Sequence, residues 1–278
     1  VRDRVITLAR PLVMGVLNVT PDSFSDGGAH VTVASAVAHA GRLLADGADL
    51  VDVGGESTAP GRAPVPADEE RRRVVPVIEG IAARWPEAIV SVDTMKAAVA
   101  EAALAAGAHV VNDVTGGRAE PALLDACARG GAGVVLMHSR GAPGTLADYA
   151  HADYGDDVVA VVHDELRARR DAALAAGVAR EAIVLDPGIG FGKRTPEALA
   201  LLRALDRLAA LGAPLLVGVS RKRFVGDLTG IADPAARLNG GVGAHLAAVA
   251  RGAAIVRTHD VAATRQALDA AWPILAPA

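Results

Sequence analysis

The sequence predicts an α/β fold: a single (β/α)8 TIM barrel with its active site at the C-terminal ends of the strands. Three observations carry the prediction. Short β-branched apolar runs alternate eight times with alanine- and leucine-rich helical stretches. Glycines fall just past the helical patterns, where a left-handed cap is expected. Almost every apolar run ends in a dense polar cluster. An open doubly wound sheet uses the same alternation and is the second architecture that periodicity allows.

In chain order, the strands are expected at 13–17, 50–53, 89–92, 110–113, 134–137, 183–186, 215–218 and 254–257. Their near-continuous apolar character is what a parallel strand covered on both faces requires. Amphipathic helices are expected between them, among others at 67–84, 156–176, 196–211 and 237–251. Gly47, Gly107, Gly177, Gly212 and Gly252 close helical patterns and lead into the next strand. No linker or composition shift divides the chain, which reads as one domain over residues 1–278.

Composition excludes several classes of function. The 28 basic and 32 acidic residues are mixed along the chain for a net charge of −4, and aromatic residues are sparse, so nucleic acid is not an expected partner. No apolar run approaches the roughly 18 residues of a membrane helix. Charges interrupt the first ten residues, so an export signal is not expected, and Cys127 stands alone. The expected setting is cytoplasmic.

The clusters at the strand ends are NVTPDSFSDGG from Asn18, GGESTAPG from Gly54, DTMK from Asp93, the pair Asn112 and Asp113, MHSRG from Met137, DPGIGFGK from Asp186, SRKR from Ser220 and RTHD from Arg257. Turn chemistry alone accounts for any one of them. Eight in phase with strand ends are what a barrel mouth assembled from βα loops requires.

Taken in order, these strings resemble the successive signatures of the dihydropteroate synthase family, and the resemblance spans nearly the whole chain. It implies joining of 6-hydroxymethyl-7,8-dihydropterin pyrophosphate to p-aminobenzoate with release of pyrophosphate, by an SN1-like displacement. It also implies Mg²⁺ as cofactor and a homodimer. A pterin edge alternates amide and amine groups, so it calls for carboxylate acceptors and an amide. Asp93, Asn112 and Asp186 supply these and match the family's pterin-binding residues, with Lys222 beside them and Arg257 able to stack on the ring face. Asp93, Lys222 and Arg257 are the candidate catalytic residues. Pyrophosphate would be met by Arg257, His259 and Asn18, the last resembling the family residue that also contacts the metal. Phe24, Thr58, Pro60, Phe191 and Ser220 are the candidates for the p-aminobenzoate pocket. His138 is read as a packing residue.

One departure stands out: the family's loop arginine is Ala59 here, with Arg62 three residues on. Residues 26–28 and 54–61 are glycine-rich and expected to hinge over the site. Three other readings stay open: a pterin-dependent methyltransferase domain, a non-catalytic or altered-specificity pterin-binding paralogue, and an unrelated (β/α)8 phosphate enzyme that would share only the anion site after the eighth strand.

Overall fold

A computed structural model describes residues 1–20, 32–57 and 63–276. Eight strands, β1 (Leu12–Asn18), β2 (Leu50–Gly54), β3 (Ile89–Asp93), β4 (Val110–Asp113), β5 (Gly133–Met137), β6 (Ile183–Asp186), β7 (Leu215–Gly218) and β8 (Ala253–Thr258), pair in sequence order. Every pairing is parallel, and β8 returns to β1. The sheet therefore closes, and the open doubly wound alternative is set aside. All eight expected strands are present, shifted by no more than one residue at either end.

Around them run α1 (Val33–Ala45), α2 (Ala67–Arg84), α3 (Ala97–Ala105), α4 (Ala122–Gly130), α5 (Val158–Ala175), α6 (Thr195–Arg203), α7 (Leu205–Ala209), α8 (Arg223–Thr229), α9 (Leu238–Val249) and α10 (Val261–Leu275). Local chemistry starts them. Thr32 and Ser35 form a reciprocal capping box on α1, and the Asp157 carboxylate accepts from Val159 N and Ala160 N at the start of α5. Asp68, Glu69 and Glu70 favour the N-terminal end of α2 through the helix dipole. The five expected capping glycines all have positive φ, from 76° to 115°.

The expected helix 196–211 is a correction. It breaks at Ala204 (φ −112°, ψ 25°) into α6 and α7. Ala204 N bonds only three residues back, to Leu201 O, and the tightened turn leaves Leu201, Leu205 and Leu208 fully buried. No glycine or proline marks the break, so packing decides it.

Two apolar layers hold the barrel. The larger lies between strands and helices and includes Val13, Val51, Val90, Val111 and Val217. The smaller fills the barrel itself with Leu12, Met14, Leu50, Val110, Val135, Leu216 and Ile255. Because strand side chains alternate faces, residues two apart share the interior. Counting on from that plug leads to Asn18, Gly54, Asp93, Asn112, Met137, Asp186, Gly218 and Arg257 at the C-terminal rim. The register matches Asn18 with Gly54, Gly54 with Asp93, Asp93 with Asn112, Met137 with Asp186 and Gly218 with Arg257. The site is thus set by strand parity. Among the described residues, no helix is long and apolar enough to cross a membrane.

Candidate active site

The rim opens into a cavity of about 550 Å³ lined by Asn18, Asp93, Asn112, Asp186, Phe191, Ser220, Lys222, Arg257 and His259. Nine of the candidate site residues read from the sequence are therefore brought together. Phe24, Thr58 and Pro60 lie outside the described residues, as do Ala59, Arg62 and most of the two hinge-like segments.

Arg257 organises one wall. Its Nε donates to Asp52 Oδ2 at 2.7 Å and its Nη2 to Asp93 Oδ2 at 2.8 Å. Asn112 Nδ2 donates to the same Asp52 oxygen at 2.9 Å. Asp52 is fully buried and fixes both an arginine and an amide in one orientation. Burial pushes the Asp93 carboxyl up to about 7, with the negative charge of Asp52 adding to it and Arg257 opposing.

Across the cavity, Asp186 Oδ1 accepts from Gly188 N at 2.7 Å, which ties the carboxylate to the first turn of its own loop. Burial raises the Asp186 carboxyl, against the pull of the nearby Lys222 charge. Lys222 precedes α8, donates to Ile189 O and sits 4.7 Å from the Phe191 ring centroid. Burial lowers the Lys222 ammonium to about 8, although Asp186 favours its charge.

The third wall is made by Ser220, Arg221 and His259. Ser220 Oγ lies 3.1 Å from His259 Nδ1 and accepts from His259 N at 3.2 Å. Arg221, in the left-handed region at φ 61°, pairs with Asp260 at 2.7 Å. Burial, then the charges of Arg257 and Arg221, lowers His259 to about 4, so its imidazole is neutral at physiological pH. It offers a directed N–H rather than a charge.

Sequence reasoning missed Asp52, Glu56 and Lys193. Asp52 had a signal, because it lies two residues before Gly54 on the inward face and is a charge inside an apolar strand. Glu56 lines the cavity and is held by Lys96, which also contacts the buried Glu70 of α2. His138 is fully buried beneath the mouth, where it is hydrogen-bonded as well as packed.

The model of the pterin binding enzyme family matches residues 14–259. The chain belongs to the pterin-binding enzyme family. A dihydropteroate synthase of Escherichia coli K12 is 44% identical over 263 residues, covering 95% of this chain and 91% of that protein. Among solved structures, Xanthomonas albilineans dihydropteroate synthase with 4-aminobenzoic acid is 50% identical at a TM-score of 0.90, covering 98% of this chain and 96% of that one. The same enzyme in complex with 7,8-dihydropteroate is 49% identical at a TM-score of 0.88, covering 98% and 97%. Within the family the chain falls among the dihydropteroate synthases, transferases that form dihydropteroate with release of pyrophosphate in folate biosynthesis. That favours the synthase over the methyltransferase reading.

Proposed function

We propose that the cavity divides the condensation of 6-hydroxymethyl-7,8-dihydropterin pyrophosphate with p-aminobenzoate among its three walls. The observation that carries this is the convergence of Asp93, Asn112, Asp186 and Lys222 from four βα units on one cavity, beside Arg257 and His259. The carboxylates accept from the pterin amine and amide N–H groups, while Asn112 both donates and accepts. Lys222 donates to a ring acceptor, and Arg257 covers the ring face while facing the leaving group.

Pyrophosphate meets Asn18, Arg257 and the neutral imidazole of His259. Magnesium, which the family resemblance implies, suits the donor chemistry here. Asn18 offers a hard amide oxygen, and a magnesium ion beside phosphate needs few further protein ligands. When bound it would neutralise charge on the pyrophosphate oxygens. The protein's own part is positioning and electrostatics. As the methylene C–O bond breaks, positive charge spreads into the pterin, and ionised Asp93 lies against it. The arylamine nitrogen then forms the C–N bond and loses its proton. Phe191 and Ser220 receive the ring and carboxylate of p-aminobenzoate, completed in this reading by Phe24, Thr58 and Pro60.

The test is pyrophosphate release from purified protein given the pterin pyrophosphate with and without p-aminobenzoate. The expected result is release that depends on p-aminobenzoate; binding without dependent turnover would overturn the assignment. A homodimer is also proposed, on the family resemblance, and light scattering would test it.

A further inference from the structure

Among the described residues, the largest fully buried side chain is a lysine, Lys193, in the loop that follows β6. Its Nζ lies 2.9 Å from His138 Nδ1, 3.1 Å from Gly188 O, 3.0 Å from Phe191 O and 3.2 Å from His138 O. On the far side of the imidazole, His138 Nε2 is 2.9 Å from Glu165 Oε2, and the other oxygen of Glu165 accepts from Arg140 Nε at 3.0 Å.

The protons in this chain can be assigned. Burial opposes ionisation of Glu165, but the hydrogen bonds from His138 and Arg140 prevail and bring it down to about 2. A carboxylate only accepts, so His138 Nε2 must carry the hydrogen and Nδ1 must accept from Lys193. Burial and the Lys193 charge hold His138 down at about 3, consistent with a neutral ring. Burial also lowers the Lys193 ammonium. Yet its nitrogen is surrounded by acceptors, which fits three donated N–H bonds and leaves an amine lone pair no partner.

The backbone around Lys193 is the wall of the active site. Gly188 and Phe191 supply two of its acceptors, Phe191 N closes a turn onto Gly188 O at 3.0 Å, and Ile189 O receives Lys222. Lys193 therefore grips from below the same turn that Lys222 touches from above.

We propose that Lys193 is a positioning residue that fixes the β6–α6 loop, and with it Phe191 and the Ile189 carbonyl, through a Glu165–His138–Lys193 relay anchored outside the cavity. Two carboxylates favour the buried charge, Asp186 at the mouth and, one imidazole away, Glu165. This deepens the assignment of Phe191 to the p-aminobenzoate ring and rests on it.

The test uses Lys193→Met, which keeps the length and removes the donors, and Glu165→Gln, whose half-exposed side chain can be changed without opening the core. Amide hydrogen exchange of segment 187–193 should quicken in both, by at least about tenfold in the first and less in the second. The KM for p-aminobenzoate should rise about tenfold in Lys193→Met, more than kcat falls. A merely structural role would lower thermal stability and the active fraction while leaving KM where it was. Wild-type exchange in both variants would overturn the proposal, and so would a wild-type KM in a folded Lys193→Met when Phe191→Leu itself raises KM. If Lys193→Met does not fold, wild-type exchange in Glu165→Gln alone overturns it, and faster exchange confined to 187–193 supports it. Phe191→Leu separates the two claims. A wild-type KM there, beside faster loop exchange in Lys193→Met, would sink the ring assignment and leave the clamp standing.

Discussion

Arg257 and Asp93 meet at 2.8 Å across the barrel mouth, joining the last strand to the third. The pair places a fixed cation beside a carboxyl that burial has pushed up to about 7. The charge of this wall therefore changes close to neutrality.

The first prediction concerns pH. In the proposed assignment Asp93 must be ionised to accept from the pterin, and Lys222, lowered to about 8, must be charged to donate. The profile of kcat/KM for the pterin pyrophosphate should be a narrow bell with limbs near those two values. Asp93→Asn should remove the acid limb, and Lys222→Met the alkaline one.

Stability follows with its own sign. A carboxyl whose folded pKa is raised binds its proton more tightly in the fold. Its contribution is fully present below the unfolded value of about 3.9 and is lost as pH rises through about 7. Urea unfolding of Asp93→Asn should show a shallower decline than the parent between about pH 4 and pH 7.

Asp52→Asn tests the buried acid that orients the mouth. It removes the charge behind Arg257 and leaves a single amide oxygen to accept from both Arg257 and Asn112, while keeping the shape. The expected cost is about 1–3 kcal/mol of stability, with pterin pyrophosphate affinity falling about tenfold. Denaturant titration and calorimetry would measure the two.

Lys96→Met strands two carboxylates, Glu56 at the cavity edge and Glu70 in α2, whose side chain is 1% exposed. Breaking such a buried cluster should cost about 3–5 kcal/mol near neutral pH. The loss should shrink in mild acid as Glu70, whose carboxyl burial raises, takes up a proton; an equal loss at both pH values would contradict this account.

Gly188→Ala should not be tolerated. The residue has φ 67°, and a Cβ there would lie 1.9 Å from His138 O. Left-handed strain and the backbone collision together predict a loss of more than about 2 kcal/mol. Thermal unfolding and the KM for p-aminobenzoate should worsen together.

Much of this was legible in the chain. The strands could be read to within a residue because both faces of each are buried, and the mouth because polar clusters end them in phase. Asp52 was hidden by its place inside an apolar run, although a count of two back from Gly54 reaches it. Lys193 could not be read from spacing, since its partners His138 and Glu165 lie 55 and 28 residues away. The break at Ala204 carries no local mark, because packing of Leu201, Leu205 and Leu208 sets it.

Two rim positions, Gly54 and Gly218, have no side chain where the polar ring would otherwise continue. A Cβ on Gly54 would rest 3.5 Å from that of Asp93, and one on Gly218 would rest 3.7 Å from that of Arg257, both ordinary contacts. Neither residue has a positive φ, so the backbone would accept alanine at both. The slot proposed for a flat bicycle is therefore a cast whose negative space is written by what the strands omit. Adding one methyl at a time would narrow that mould without disturbing a single hydrogen-bonding group, and would turn pocket width into an adjustable dimension.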